Sequence, residues 1–539
     1  MALSINWGSL NLHRLEAKDS DPTWCDVARF LRSKAAYPQQ QAPEVIETHI
    51  SLVFLTGSIV YKLKKPVHFD FLDFASREAR HAACDQEIAL NRRLAPDMYL
   101  GTVAVTVDAA GGFAIGGPGQ PVEWLVKMRR LPRDLMLDAL LSMGKGSSVN
   151  IKELSSVLIN FYRKTTPLPM SMTSLVPQML QHIRGNLSEL SRPANQLPNH
   201  LVKRIHGFQI RFVHFEQSLF EARISSRRFV DGHGDLRPEH ICMESPPTIF
   251  DCIEFNAEFR HIDTADELAF LAVECERLHA RDIGDTILNE CVTALDDQPP
   301  LRLIDFYKSY RACVRAKVAA LRSSQAGVDW ATSIQLATTY LNLADRCLGP
   351  TSRPICIIVR GLIGSGKSTV ATALADILGM ELLQTDIIRR DLISEPAETR
   401  RYGVGPYTAE NRGVAYERMF EAAAALLSER VSVVLDACFL THALQQRVYA
   451  LTQSMGVSLL IVNCHCPVSV ATERIIARAR EPGCASEALP EHLTNQNGDD
   501  EGCISMAPIL AIDTSLGTTD SHIVTIKEHL QDIAARLHG

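Results

Sequence analysis

A nine-residue stretch, GLIGSGKST from Gly361 to Thr369, has the residue types and spacing of a phosphate-binding loop. It lies between an apolar run, ICIIV, and a segment with helical periodicity, which is the context that this motif requires. Glycines let backbone N–H groups converge on phosphate oxygens, and the start of the following helix adds positive potential. Lys367 would reach the terminal phosphates, and the Ser368 hydroxyl would bind Mg²⁺. The residues expected to bind nucleotide are Gly361, Gly364, Ser365, Gly366, Lys367, Ser368 and Thr369.

Charged residues that follow the neighbouring apolar runs would complete this site. Asp386 and Arg389 follow one short apolar stretch, at the strand end where such folds place their ligands. Asp436 ends the run VSVVLD, a place that suits a Mg²⁺-binding carboxylate. Arg474 and Arg478 are four residues apart, so they share one helix face and could neutralise charge on a transferring phosphoryl group. A solvated helix face explains the same two arginines, and the sequence leaves both interpretations open.

A second set of charged residues lies upstream and is dispersed along the chain. The loop HGDLRPEHI offers Asp235 as a carboxylate near an acceptor hydroxyl, and Asp251 ends a short apolar strand as a candidate Mg²⁺ ligand. Phosphoryl transfer also needs a lysine that a helix glutamate holds at the phosphates, and Lys62 and Glu87 occupy those places. Lys64 projects from the same strand face as Lys62, so the sequence does not choose between the two lysines.

The elements that must position these residues change character near residue 350. Before it, residues 47–67 predict a hairpin around a Gly-Ser turn, and residues 76–94 predict a helix. After it, apolar strands alternate with helices, which is typical of a parallel α/β sheet. We predict a lead-in at 1–45, a first domain at 46–347 with lobes at about 46–130 and about 131–347, a linker at 348–354 and a second domain at 355–539.

The first of these domains resembles the aminoglycoside phosphotransferase and choline kinase family, relatives of the protein kinases. HGDLRPEH, FDCIEF and the downstream IDTADELAF carry the resemblance. It implies a two-lobed protein-kinase-like fold, with Asp235 as the catalytic base and Asp251 as a magnesium ligand. Lys62 and Glu87 would then serve the nucleotide phosphates, and the segment EWLVKMRRLP would form the hinge beside adenine.

The sharpest departure from that family is His240, which stands where the family has a Mg²⁺-binding asparagine. Magnesium prefers oxygen ligands, so imidazole is a poor substitute. Three interpretations stay open. Asp251 with Glu254 or Glu239 holds the metal, His240 acts through a water molecule, or the site binds nucleotide with little turnover.

The second domain resembles the small P-loop kinases, among them gluconate kinase, chloramphenicol phosphotransferase and polynucleotide 5′-kinases. GLIGSGKST, the Asp386-x-x-Arg389 pair, Asp436 and the arginines carry this resemblance. It implies a P-loop NTPase fold with a parallel sheet flanked by helices, Asp386 as the catalytic base and Arg389 as a substrate or phosphate contact. The whole chain therefore resembles a bacterial fusion of two kinase-like domains, with ATP and Mg²⁺ as cofactors.

Composition adds only broad limits. The 539 residues are 46% hydrophobic and 22% charged, as in ordinary globular proteins, and a net charge of −7 gives no global field for nucleic acid. No apolar run approaches the ~20 residues of a membrane helix, and the 14 cysteines are scattered, so we expect a cytoplasmic protein with reduced thiols.

The acceptor is predicted only as a class. A stripe of four cations on one late helix favours an anionic or neutral small molecule, although a solvated face explains the stripe equally well. The four are Lys308, Arg311, Arg315 and Arg322. We expect a phosphotransferase with two nucleotide sites, and the alternative is a regulatory protein that binds nucleotide without phosphorylating an acceptor.

Overall fold

The computed structural model describes residues 23–48, 50–69, 72–324, 328–349, 353–392, 408–478 and 490–538. The chain divides into two compact units. Unit 1 comprises 1–178, 188–190 and 218–347, and unit 2 comprises 179–187, 191–217 and 348–539. Among the described residues, no helix combines the length and apolarity that crossing a membrane requires.

Unit 1 begins with an antiparallel sheet of six strands in the order β1-β2-β3-β8-β6-β7, with helix α2 packed against it. The predicted hairpin is confirmed as β2 and β3, and the predicted helix as α2, whose first turn is capped by the Ser76 hydroxyl. The elements are α1 (Trp24–Arg32), β1 (Glu44–Glu47), β2 (Ser51–Leu55), β3 (Ile59–Lys64), β4 (His68–Phe69), β5 (Leu72–Asp73), α2 (Arg77–Asn91), β6 (Tyr99–Val107), β7 (Phe113–Ile115) and β8 (Gln120–Arg129).

The rest of unit 1 is mainly helical, with short strand pairs that carry the HGDLRPEHI loop. Strand β9 pairs with β12, and β10 pairs with β11, so the loop is held between two small ladders. Helix α5 (Met172–Leu190) has residues in both units. The other elements are α3 (Leu137–Ser142), α4 (Ile151–Lys164), α7 (Gln217–Ser225), β9 (Phe229–Asp231), β10 (Ile241–Cys242), β11 (Thr248–Ile249), β12 (His261–Asp263), α8 (Thr264–Arg277), α9 (Arg281–Ala294), α10 (Leu301–Ser323) and α11 (Trp330–Arg346).

Unit 2 contains the predicted parallel sheet, with five strands in the order β14-β15-β13-β16-β17. Its central strand β13 is buried on both faces, which explains its unbroken apolar sequence. The elements are α6 (Asn199–Phe215), β13 (Ile355–Arg360), α12 (Lys367–Leu378), β14 (Glu381–Gln384), α13 (Thr385–Leu392), α14 (Ala409–Ser428), β15 (Val433–Asp436), α15 (His442–Met455), β16 (Ser458–His465), α16 (Val468–Arg478), α17 (Pro490–Asp499), β17 (Ile509–Asp513) and α18 (Thr519–His538).

Helix α6 and residues 179–187 of α5 lie in unit 2, although their sequences fall inside the range 46–347 of the predicted first domain. A Cβ atom at Gly207 of α6 would lie 2.6 Å from the carbonyl oxygen of Gly379, just after α12. Lys203 Nζ is 2.6 Å from a Glu381 carboxylate oxygen, and the Gln531 amide donates to the Phe215 carbonyl at 3.0 Å. The amphipathic pattern predicts a buried helix face but does not say which unit buries it.

Candidate nucleotide sites

The glycines of the P-loop meet two physical demands. Gly361, Gly364 and Gly366 have φ values of 147°, 77° and 80°, which side chains other than hydrogen rarely allow. A Cβ atom at Gly364 would lie 2.6 Å from the Ala471 carbonyl oxygen, and one at Gly361 would clash with the Cys464 carbonyl. The loop therefore packs tightly on β16 and α16 while leading into α12.

Asp436 and the P-loop hydroxyls provide the oxygen atoms that magnesium prefers. Asp436 ends β15, and its Oδ2 accepts from the Gln384 amide at 2.7 Å. Its buried Oδ1, like the buried Ser365 hydroxyl, has no hydrogen-bond partner among the described residues. Burial raises the pKa of Asp436 although Lys367, Gln384 and Ser368 oppose the rise. A carboxylate and a hydroxyl at this point fit a Mg²⁺ ion that also contacts phosphate.

Lys367 begins α12 and faces acidic groups. Burial favours its neutral amine, but Cys438, Asp436 and Asp386 outweigh that effect and raise the pKa of Lys367. The ammonium ion is therefore the stable form. Asp386, on α13, forms an ion pair with Arg389 at 2.7 Å, so the predicted pair is a direct contact.

Two arginines on α16 differ in their surroundings. Arg474 donates to the Thr514 hydroxyl at 2.9 Å and to the Thr514 carbonyl at 2.8 Å, and its guanidinium lies 3.4 Å from the Gly364 carbonyl. Arg474 therefore links the P-loop to Thr514. Arg478 lies near enough to Lys367 to oppose the rise in that residue's pKa. Thr369 is exposed on the first turn of α12.

In unit 1, Lys62 on β3 joins two residues that are distant in sequence. Its ammonium lies 2.9 Å from a Glu87 oxygen on α2 and 2.8 Å from Asp251 Oδ1. Asp251 has a φ of 63°, a conformation that non-glycine residues rarely adopt and that is typical of functional sites. Burial would raise the pKa of Asp251, but Lys62 outweighs it and the pKa falls well below its usual range.

Lys64 has a different environment, which distinguishes the two lysines. Its side chain is fully buried and forms ion pairs with Glu87 at 2.6 Å and with Glu254. Lys62 is 10% exposed and points to Asp251, whose side chain is 41% exposed. Lys62 is therefore the lysine placed to meet a phosphate, and Lys64 fixes Glu87 from behind.

Asp235 is held in a loop that a buried glutamate anchors. Glu267 on α8 accepts from the backbone N–H groups of His233 and Gly234 at 2.7 and 2.5 Å. Burial would raise the pKa of Asp235, but Arg237, whose guanidinium is 2.9 Å from its carboxylate, outweighs this and lowers the pKa to about 2. Asp235 is thus ionised at neutral pH.

Both ring nitrogens of His240 contact neighbours in the same loop. It ends a single helical turn, Pro238–His240, and its Nδ1 lies 2.9 Å from the Asp235 carbonyl oxygen. Its Nε2 lies 3.0 Å from a guanidinium nitrogen of Arg237. The oxygens proposed as substitutes are also engaged, since Glu254 pairs with Lys64 and Glu239 lies 2.6 Å from Arg277.

The predicted basic stripe on α10 is largely neutralised within the fold. Lys308 forms an ion pair with Asp285 at 2.6 Å, and Arg315 forms one with Glu274 at 3.1 Å. Arg311 forms a bidentate ion pair with Asp266. Arg322 is exposed. Three of the four cations therefore stabilise the packing of α10 against α8 and α9, and the stripe gives no support for an anionic acceptor.

Sequence reasoning missed several residues that shape these sites. Glu267 stands beside the aspartates of IDTADELAF, and Arg237 lies inside the quoted loop, so both had a positional signal. Gln384 and Thr514 had none, because each gains its role from a strand or helix that lies far away in sequence.

Comparison with known proteins identifies relatives along most of the chain. Uncharacterized protein Rv2004c of Mycobacterium tuberculosis (strain ATCC 25618 / H37Rv) is 32% identical over 476 residues, which cover 86% of this chain and 92% of the relative. Uncharacterized protein Mb2027c of Mycobacterium bovis matches with the same values. The chain belongs to the family of these mycobacterial proteins. The family model of the AAA domain matches residues 356–499 of this chain, which include the P-loop.

Solved structures with partial similarity to this family member include two kinases. A choline/ethanolamine kinase family protein from Mesorhizobium loti is 13% identical, with a TM-score of 0.35, over 60% of this chain and 97% of its own. A gluconokinase from Sinorhizobium meliloti 1021 is 22% identical, with a TM-score of 0.27, over 34% of this chain and 96% of its own. At these values the similarity carries no conclusion about activity.

Proposed function

We propose that the protein is an ATP-dependent phosphotransferase with two nucleotide sites, which transfer the γ-phosphate to a hydroxyl group of a small molecule. The observation that carries the proposal is the contact of Lys62 with both Glu87 and Asp251, which lie 25 and 189 residues from it in sequence. A strand lysine paired with a helix glutamate beside a carboxylate that can bind Mg²⁺ is the arrangement that kinases of the protein-kinase type use for phosphoryl transfer.

In unit 1, the proposed roles follow from placement and charge. Lys62 binds phosphate oxygens, and Asp251 holds a Mg²⁺ ion that would neutralise charge on the phosphates. Asp235 orients the acceptor hydroxyl and accepts its proton as the phosphoryl group leaves ATP. The anchoring of its loop by Glu267 keeps this carboxylate in position.

In unit 2, the P-loop supplies backbone N–H groups and Lys367 to the phosphates, while Ser368 and Asp436 supply oxygen ligands for Mg²⁺. Asp386 is the candidate base. Its contact with Arg389 places a guanidinium where a phosphoryl group or an anionic part of the acceptor could bind.

One observation favours the alternative, a regulatory protein whose unit 1 binds nucleotide with little turnover. The Asp235 carboxylate is already paired with Arg237, and its pKa of about 2 makes it a weak proton acceptor. An acceptor hydroxyl has to compete with this guanidinium for the carboxylate.

Turnover measurements separate the two. ADP release would be followed with a panel of sugars, amino alcohols and nucleosides, for the unchanged chain and for Asp235→Asn, Asp386→Asn and the double variant. The proposal expects at least one acceptor to stimulate ADP release, with each single variant removing the activity of its own unit. Nucleotide binding at both sites without stimulation by any acceptor would support the regulatory alternative.

A further inference from the structure

Both ring nitrogens of His240 lie within hydrogen-bond distance of a group in the same loop. The Asp235 carbonyl oxygen can only accept, so Nδ1 at 2.9 Å must carry the proton. A guanidinium can only donate, so Nε2, 3.0 Å from Arg237, must be the acceptor. The 3.5 Å separation of Nε2 from Asp251 Oδ2 is correspondingly too long for a good hydrogen bond.

The lone pair through which His240 could bind a cation is therefore used by Arg237. The His240 side chain is 9% exposed, and with the proton on Nδ1 the ring has no second lone pair. To free Nε2, the guanidinium would have to leave the Asp235 carboxylate as well, since one Arg237 nitrogen serves both contacts.

A chain of partly buried ion pairs approaches Arg237 from its other side. Glu239 lies 3.7 Å from Arg237 and 2.6 Å from Arg277. Arg277 pairs in turn with Glu274 at 2.7 Å, and Glu274 accepts from Arg315. These contacts place a carboxylate on the far side of the guanidinium from His240 and oppose its movement away from Asp235.

The remaining acidic groups leave one place for a divalent cation. Within the described residues, no group of three histidine, cysteine, aspartate or glutamate side chains could hold a metal ion by itself. Asp251 has an exposed carboxylate, whereas Glu254 and Glu239 are committed to Lys64 and Arg277. Mg²⁺ is often held by a single carboxylate together with phosphate oxygens and water.

We infer that the site in unit 1 takes one divalent cation with its nucleotide, at Asp251, and that Arg237, held by His240, fills the place of a second cation. Protein kinases hold two Mg²⁺ ions, through a strand aspartate and a loop asparagine. Here a fixed guanidinium replaces the second ion with a permanent charge. Arg237 acts as a positioning residue for Asp235. The inference rests on the proposed function, because it presupposes nucleotide in unit 1.

The number of bound cations tests this inference directly. The full-length chain would carry Lys367→Ala and Ser368→Ala to silence the P-loop, and Mn²⁺ would be titrated with adenylyl imidodiphosphate while free Mn²⁺ is read by electron paramagnetic resonance. We expect one Mn²⁺ per bound nucleotide. Adding Arg237→Ala with His240→Asn exposes an amide oxygen and should raise the number to two. His279→Asn, at an exposed residue whose φ of 60° suits asparagine, is the matched control and should leave it at one.

Each outcome decides the question. Two Mn²⁺ ions in the chain that retains His240 would overturn the inference, and so would an unchanged number in the folded Arg237/His240 double variant. If that variant does not fold, the number in the chain with His240 is sufficient by itself. Absence of nucleotide from unit 1, seen by equilibrium dialysis in the same samples, would instead refute the proposed function of that unit.

Discussion

The two candidate sites solve the same problem, holding phosphate, in opposite ways. The P-loop would draw its phosphate contacts from nine consecutive residues, and buried oxygens of Ser365 and Asp436 have no hydrogen-bond partner among the described residues. The site in unit 1 assembles residues up to 189 positions apart, and its charges are paired with one another, as in Lys62–Asp251 and Arg237–Asp235.

This difference shows where each site depends on the fold. Backbone N–H groups carry no net charge and are oriented by local geometry, so a P-loop needs a strand before it and a helix after it. In unit 1, ion pairs between residues distant in sequence stabilise the fold, and the same residues are proposed to bind the ligand. Mutations in unit 1 should therefore affect stability and function together, whereas those in the P-loop should separate them.

The largest effect is expected from Glu87→Gln. This change leaves two buried ammonium groups, Lys62 and Lys64, without their shared carboxylate, and should lower the free energy of unfolding of unit 1 by about 3–5 kcal/mol. All four tryptophans of the chain precede residue 348, so tryptophan fluorescence during urea unfolding reports on unit 1. Glu78→Gln, at an exposed position on the same helix, should change stability by less than about 0.5 kcal/mol. If Glu87→Gln and Glu78→Gln lowered the free energy of unfolding equally, the buried charge pairs of unit 1 would not be what stabilises it.

Lys367→Ala should separate function from stability in unit 2. Loss of a charged contact to phosphate costs about 1.5–3 kcal/mol, so affinity at that site should fall by roughly 10- to 150-fold while the fold persists. Isothermal titration calorimetry should then show one tightly bound nucleotide per chain in place of two. Arg418→Ala removes an exposed cation of unit 2 and should retain both. Unchanged binding in Lys367→Ala would remove the P-loop from the proposal.

Gly207→Ala tests whether α6 is an integral part of unit 2. Alanine ordinarily favours a helix by about 1 kcal/mol over glycine. Here its Cβ would meet the Gly379 carbonyl at 2.6 Å, and we expect a net loss of about 1–3 kcal/mol. Gly185→Ala on α5, where no atom lies within 4 Å of the added Cβ, should be stabilising. Differential scanning calorimetry would follow the unfolding of unit 2, which contains no tryptophan. A stabilised Gly207→Ala chain would contradict the packing.

Acidification should have the smallest effect on the free energy of unfolding. The contributions of Glu87 in unit 1 and Asp436 in unit 2 should change in opposite directions. The pKa of Glu87 is lowered, since Lys62 and Lys64 outweigh its burial, so its stabilising contribution is present above an unfolded value of about 4.5 and is lost as the pH falls further. The pKa of Asp436 is raised by burial, so the strain of its ionised form is relieved as the pH falls through the folded value.

Urea unfolding between about pH 6 and pH 3, with chelator and without nucleotide, measures these contributions. Glu87→Gln should flatten the acid dependence reported by tryptophan, and Asp436→Asn should remove the opposing contribution from the transition of unit 2. If both units changed stability with pH in the same direction and neither variant altered that change, the two sites would not differ in the way proposed.

Much of the layout was predictable because it follows local rules. Alternation of apolar and polar residues predicted the hairpin of β2 and β3, and Ser76 marked the start of α2. The parallel sheet after residue 354 follows from apolar strands that alternate with helices. Periodicity places the cations of the stripe on one face of α10, but it does not reveal that Asp285, Asp266 and Glu274 pair with three of them.

The sequence alone determined the P-loop, since its glycines, lysine and hydroxyls are contiguous and their geometry is set by neighbouring residues. Only the tertiary structure decided which lysine faces Asp251, that α6 belongs to unit 2, and that His240 accepts from Arg237. These three depend on which atoms meet after the chain has folded. Burial and pairing change the charge, tautomer and availability of a side chain, and no spacing rule records them.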